Sequence, residues 1–262
     1  MNAVANGAAT PLLAVRGLHK HYGAVQALRG IDLDVHKGEL CGVIGPNGSG
    51  KSTLFDCCTG LQQPPTGKVH LDGVDITGWT MNRVAREGGF VRSFQKTVVF
   101  ETMTPEENLI IAGQMFSFPG LLSTFSIGPR ARRRTATLRA RANELIDMVG
   151  LERVRDQPAG SLSFGQQKLL QFASSLMPSP RLILLDEPLA GINPVLITKI
   201  VDSIRKANAE LGITFLVIEH NIDVIMDLCR RIVVLAEGAI LDDGAPENIV
   251  RSPKVVEAYL GG

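Results

Sequence analysis

No charge of one sign dominates this chain: 27 Lys and Arg stand against 26 Asp and Glu, a net charge of +1 over 262 residues. Such a balance creates no field that would hold a polyanion, so nucleic acid is not expected as a partner. Long apolar runs are missing too. Although 45% of the residues are hydrophobic, no stretch reaches the ~18 consecutive apolar residues read as a membrane span. The opening residues Met1-Asn2-Ala3-Val4-Ala5-Asn6 lack a basic start followed by an apolar core, so no secretory leader is expected. Residues 1–10 are small and polar and read as a flexible tail. Cysteine is sparse: Cys41, Cys57, Cys58 and Cys229, none paired with histidine at metal-ligand spacing. Buried free thiols in a reducing cytosol are the expectation. No internal repeat is visible.

What the chain does have is enough apolar residues for one large core, or one core with a smaller lobe. Residues 12–15 and 31–35 suit strands, with turn signals at Tyr22-Gly23 and Lys37-Gly38. A short apolar run, residues 40–44, ends at a glycine-rich loop, and residues 51–59 then read as a helix closed by Gly60. Residues 67–71 and 74–76 flank Asp72-Gly73, a hairpin signal. Residues 90–94 form another short strand candidate. The pattern then turns helical over residues 105–160. Thr104-Pro105-Glu106-Glu107 opens it with a capping box, and Gly150 closes the run carrying Leu138, Ala142, Leu145 and Val149. Beyond it come a helix-like run at 166–176, a strand at 182–185, a helix at 194–211 capped by Asn193, a strand at 213–218, and a terminal hairpin from 232–235 and 239–241 around Glu237-Gly238. This is an α/β core interrupted by a helical insertion.

The loop reads Gly45-Pro46-Asn47-Gly48-Ser49-Gly50-Lys51-Ser52, which fits G-x-x-x-x-G-K-[ST], and Thr53 follows it. Glycines let backbone N–H groups wrap triphosphate oxygens without Cβ clashes, and the next helix adds its positive end. Lys51 neutralises phosphate charge, and Ser52 offers a hydroxyl to Mg²⁺. A glycine turn that binds nothing is the bland alternative, but the strand before it and Lys-Ser after it disfavour that. The strand Leu182-Ile183-Leu184-Leu185 ends in Asp186-Glu187. Asp186 can hold Mg²⁺ through water, and Glu187 can polarise the attacking water as general base. Solvent-exposed carboxylates would be the reading for a lone Asp-Glu. Gln95 and His220 each follow a strand; alone, the first reads as surface and the second as structural. Tyr22 in His21-Tyr22-Gly23 alone reads as a tyrosine packed in the β lobe.

Between loop and carboxylates lies Leu162-Ser163-Phe164-Gly165-Gln166-Gln167. It resembles the signature of ABC-type ATPases, with Phe164 where the commonest form has glycine. The resemblance covers the chain from about residue 12 to its end. It implies a P-loop NTPase core with an antiparallel β subdomain and an inserted α-helical subdomain at about 97–165, residues 11–262 forming one ATPase domain. It implies ATP and Mg²⁺ as cofactors. Gln95 becomes the glutamine reaching metal and water, His220 the switch histidine at the γ-phosphate, and Tyr22 the aromatic on adenine. Asn193 falls in the D-loop position or simply caps its helix. Ser163, Gly165 and Gln166 would serve the ATP of a second ATPase domain in a head-to-tail pair.

Phe164-Gly165-Gln166-Gln167-Lys168, Ala190-Gly191-Ile192-Asn193-Pro194, the basic insertion at 120–143 and the ending Glu257-Ala258-Tyr259-Leu260-Gly261 resemble the ATPase subunits of branched-chain amino acid importers. That family implies membrane permease subunits as partners, fed by a solute-binding protein, and a peripheral place on the cytoplasmic face of the membrane. It implies a homodimer or a heterodimer with a related ATPase. The cluster Arg130-Ala131-Arg132-Arg133-Arg134 is either a solvated helix start or a contact for anionic lipid or acidic permease loops. The apolar stretch at 116–125 beside it could join that contact or pack the helical lobe. A soluble ABC-type ATPase acting outside transport is the alternative. Tandem cassettes or a long coiled-coil insertion would mark it, and neither is present.

Overall fold

The computed structural model describes residues 10–93, 98–117 and 129–260. Two sheets organise them. The smaller is antiparallel, in the order β2-β1-β4-β5, from β1 (Leu13–Tyr22), β2 (Val25–Val35), β4 (Thr66–Leu71) and β5 (Val74–Asp75). The larger has six strands in the order β10-β9-β3-β8-β7-β6. Its members are β3 (Leu40–Ile44), β6 (Phe90–Arg92), β7 (Leu182–Asp186), β8 (Thr214–Ile218), β9 (Arg231–Ala236) and β10 (Ala239–Gly244). Five are mutually parallel, and β10 closes one edge antiparallel to β9.

Strands β3, β7 and β8 are buried along their whole length, as near-continuous apolar runs require when both faces of a parallel sheet are covered. Alternation divides their side chains between two cores. Ile183, Leu185, Phe215 and Val217 face one packed mainly by helices. Leu182, Leu184, Leu216 and Ile218 face the other, shared with the small sheet and with α1 (Lys51–Cys58). A short α2 (Met81–Arg83) runs into a π turn, Val84–Gly88. Between β6 and β7 come α3 (Pro105–Ser117), α4 (Pro129–Met148) and α5 (Phe164–Leu176). Then follow α6 (Pro194–Leu211), α7 (Ile222–Leu228), α8 (Pro246–Arg251) and α9 (Pro253–Leu260).

Caps form where the residue types demand them. The Thr104 hydroxyl accepts from Glu107 N at 3.3 Å while the Glu107 carboxylate accepts from Thr104 N at 2.9 Å. Asn193 Oδ1 accepts from Leu196 N at 3.0 Å. Asp72 and Gly73 both take positive φ in the β4–β5 turn.

Several expected boundaries move. Strands β1 and β2 are longer than residues 12–15 and 31–35, because their polar outer halves pair through a two-residue turn after Tyr22. The pairing absorbs register shifts between Val15 and Leu18, where Gly17 sits at φ 53°. The hairpin β9–β10 is not terminal: α8 and α9 follow it, each opening on a proline. All four cysteines are buried and free, as expected. The tail at residues 1–9 and most of the apolar stretch at 116–125 lie outside the described residues. Of the basic cluster, the side chains of Arg133 and Arg134 are described, and both are exposed.

Candidate functional site

The parallel register gathers the candidate residues at one edge of the large sheet. The glycine loop leaves the carboxyl end of β3. Asp186 ends β7 opposite Ile218, and His220 lies two residues beyond the end of β8. Ligands of open α/β sheets bind outside these carboxyl ends.

Gly45 leaves β3 with φ 151°, and a Cβ there would stand 2.0 Å from the Leu235 carbonyl oxygen. Gly50 precedes α1 at φ 103°, with its missing Cβ 2.5 Å from the Ala27 oxygen. Glycine is thus required at both ends of the loop. No side chain caps α1, so the first N–H groups of that helix remain for an anion. Lys51 is buried, and its Nζ donates to Gly45 O at 2.7 Å, Pro46 O at 3.0 Å and Ser49 Oγ at 3.3 Å. Burial lowers the Lys51 pKa, against the opposing pull of Glu187 and Asp186.

Glu187 is held at φ 49°, in the left-handed region that costs a non-glycine residue strain. Its N–H donates to Ile218 O at 2.9 Å, one step past the end of the β7–β8 ladder. Its Oε1 shares a hydrogen bond with His220 Nε2 at 3.0 Å. Behind this pair, buried Glu219 accepts from Leu189 N at 2.7 Å and His220 N at 3.2 Å. Burial raises the pKa of Glu219, against those backbone donors.

Residues 47–53, Asp186, Glu187, Ile218 and His220 line one open cleft, joined by Val25 and Ala27 of β2. The last two carry no motif, and only the hairpin that brings β2 over the loop could have pointed to them. Gly45 and Pro46 form the approach to the loop, their carbonyls turned to Lys51. Tyr22 is not among the described residues lining this cleft; it is half exposed, and its hydroxyl donates to Gln62 Oε1. Gln95 lies outside the described residues.

Ser163, Gly165 and Gln166 are also absent from the cleft's described lining. Ser163 caps α5: its Oγ accepts from Gln166 N at 3.3 Å, and Gln166 Oε1 accepts from Ser163 N at 2.9 Å. Ser163 and Phe164 are exposed. Gly165 is buried against α6, where a Cβ would fall 1.8 Å from Leu196 Cδ2. Arg92, which no motif marks in the sequence, bridges Asp56 of α1 and Asp186.

The donor set in the cleft fits a hard divalent cation. A serine hydroxyl at Ser52 and carboxylates at Asp186 and Glu187 are oxygen ligands of the kind Mg²⁺ takes alongside phosphate oxygens.

Comparison with known proteins gives a consistent picture. The family model described as "ABC transporter" matches residues 28–190. The high-affinity branched-chain amino acid transport ATP-binding protein BraF of Pseudomonas aeruginosa is 38% identical over 251 residues, 96% of this chain and 98% of that protein. The corresponding protein LivG of Escherichia coli is 35% identical, with the same coverage. A crystal structure of the ADP conformation of an ATP-binding cassette of an ABC transporter superposes with a TM-score of 0.82 at 32% identity, covering 97% of this chain and 100% of that one. A dimeric structure of a bacterial ABC transporter cassette gives 0.72 at 26% identity, covering 89% of this chain and 98% of that one.

Proposed function

This chain belongs to the ABC transporter ATP-binding family, and on that premise we propose that it is the ATP-hydrolysing subunit of an importer for branched-chain amino acids or a related small polar solute. The observation that carries the reading is the convergence of the Lys51 loop, Asp186, Glu187 and His220 on one cleft at the carboxyl edge of the sheet.

Backbone N–H groups of residues 47–53 bind the triphosphate, and Lys51 pairs with its β- and γ-oxygens. Ser52 and Asp186 would hold Mg²⁺, and the family resemblance adds Gln95 to that set. The metal, when bound, neutralises charge developing on the terminal phosphoryl group. Glu187 orients a water and takes its proton as the water oxygen bonds to the γ-phosphorus. The bond from that phosphorus to the β,γ-bridging oxygen breaks, and ADP and phosphate leave. His220 holds the Glu187 carboxylate and faces the γ-phosphate. Val25 lines the cleft beside the loop, and Tyr22, on the same hairpin but outside that lining, would stack on the base.

The signature serves a second copy or a related ATPase. Ser163 is exposed at the positive end of a 13-residue helix and does not line its own cleft; its hydroxyl, which donates to Gln166 Oε1 at 3.0 Å, would turn from that bond to a partner's γ-phosphate. That a similar cassette is solved as a dimer supports a paired state. ATP-driven closure of the pair is then what moves the permease subunits. No helix among the described residues is long and apolar enough to cross a membrane, so permease partners supply the path and this chain attaches peripherally at the cytoplasmic face.

The test is uptake of labelled leucine into vesicles carrying the permease subunits with this chain. ATP-dependent uptake that is lost with Glu187→Gln is expected. ATP hydrolysis without any association with permease-bearing membranes would instead favour a soluble ATPase.

A further inference from the structure

Arg92 ends β6, three residues before Gln95 in sequence, and has no part in the chemistry described so far. Its side chain is only 13% exposed. One arm of its guanidinium, Nη2, donates to Asp186 Oδ2 at 2.7 Å, and the other, Nη1, donates to Asp56 Oδ1. The two carboxylates come from different elements. Asp56 lies on α1, the helix that Lys51 opens, and Asp186 ends β7. Both are well buried, at 16% and 5% side-chain exposure. Asp56 is itself fixed from behind, its Oδ2 accepting from Gln62 Nε2 at 3.0 Å. Gln62 in turn accepts from the Tyr22 hydroxyl. A continuous polar chain therefore runs from the β1–β2 hairpin, across α1, to the carboxylate at the floor of the cleft.

We propose that Arg92 is a positioning residue that, anchored by Asp56, fixes the Asp186 carboxylate for the Mg²⁺ of the nucleotide site. This rests on the metal role given to Asp186 above. A guanidinium is a planar fork whose two arms can each engage a separate carboxylate, which the point charge of a lysine cannot do at the same geometry. With Oδ2 engaged, Asp186 is confined to one orientation, and its second oxygen remains for a metal-bound water. Partners of this kind, which hold a ligand without touching the metal, typically shift metal affinity or activity by ~10–100-fold when removed. The alternative is that Arg92 only clamps β6 to α1 and β7. A clamp would change nucleotide binding equally with and without metal. A positioning residue changes only the part of the affinity that metal adds.

The experiment is calorimetric titration of the full chain with ATP, in excess Mg²⁺ and in EDTA. The readout is the ratio of the two affinities. Arg92→Met leaves two buried carboxylates uncompensated, so Arg92→Met/Asp56→Asn is titrated beside it to remove the surplus charge. Asp186→Asn reports the metal role itself. In Arg92→Met/Asp56→Asn we expect affinity in EDTA near that of the wild type and a metal-linked gain reduced about tenfold or more. The assignment is overturned if that variant keeps or exceeds the wild-type gain while Asp186→Asn loses it. It is equally overturned if affinity falls by the same factor in both conditions. If Asp186→Asn keeps the full gain, Asp186 does not serve the metal, and the site reading fails before Arg92 is reached.

Discussion

His220 Nε2 lies 3.0 Å from Glu187 Oε1, although the two residues are 33 positions apart in sequence. Two neighbouring parallel strands bring them together, since Asp186 pairs with Ile218 in register. Glu187 holds its place in a left-handed backbone conformation, and His220 steadies the carboxylate that this conformation presents. Glu187→Gln keeps a hydrogen-bonding oxygen for His220 and removes the carboxylate that we propose as the base. Turnover should fall by about 10²–10⁴-fold, with ATP affinity near that of the wild type. Phosphate release and calorimetry measure the two quantities. Near-normal turnover would remove Glu187 from the reaction.

Gly165 and Leu196 give a prediction about stability. A Cβ on residue 165 would fall only 1.8 Å from Leu196 Cδ2, so Gly165→Ala should destabilise the fold by about 1–3 kcal/mol through overpacking. Trimming the obstacle in Gly165→Ala/Leu196→Ala should return part of that loss, a coupling that urea denaturation of both single variants and the double variant would reveal. Strictly additive losses would mean that the α5–α6 contact does not dictate glycine here.

The cysteines make a prediction about pH. Burial raises the thiol of Cys57 to about 11 and that of Cys229 to about 12, from an ordinary value of 9.0. Native protein should therefore resist iodoacetamide near neutral pH and react once unfolded. The sign of the linkage follows from the same shift. Between about 9 and 11 the unfolded Cys57 has lost its proton while the folded one keeps it, so stability is full below that window and declines as pH rises through it. Rapid labelling of the native chain would contradict the buried placement.

The residues most legible in the sequence were those whose chemistry is local. The glycine loop, Asn193 and the Thr104–Glu107 box announce themselves because a turn, a cap or a phosphate cradle needs certain side chains at fixed offsets. The strand carrying Asp186 was legible because doubly covered parallel strands are apolar throughout. What stayed hidden depends on pairing between distant segments. Val25 and Ala27 reach the cleft only through the fold of the hairpin, and Arg92 gains meaning only when β6 lies against β7. The outer half of β1 was missed because its polar residues and Gly17 carry no alternation. The signature residues show the limit most clearly: Ser163 has a local reason as a cap and Gly165 as a contact, and neither reason points to a second chain.

That second chain is the central claim, and ATP-dependent dimerisation tests it most directly. The chain carrying Glu187→Gln, alone and with a neighbouring ATPase where one is encoded, is measured by size-exclusion chromatography with light scattering in ATP, in ADP and without nucleotide. Dimer is expected with ATP alone, because in the proposed pair only the triphosphate would bridge both surfaces. Adding Ser163→Arg should leave ATP affinity of the monomer near wild type, because Ser163 does not line its own cleft. It should abolish the dimer, because a bulky cation fills the space of the partner's γ-phosphate. An ATP-dependent dimer of normal stability in the Ser163→Arg chain would contradict the account.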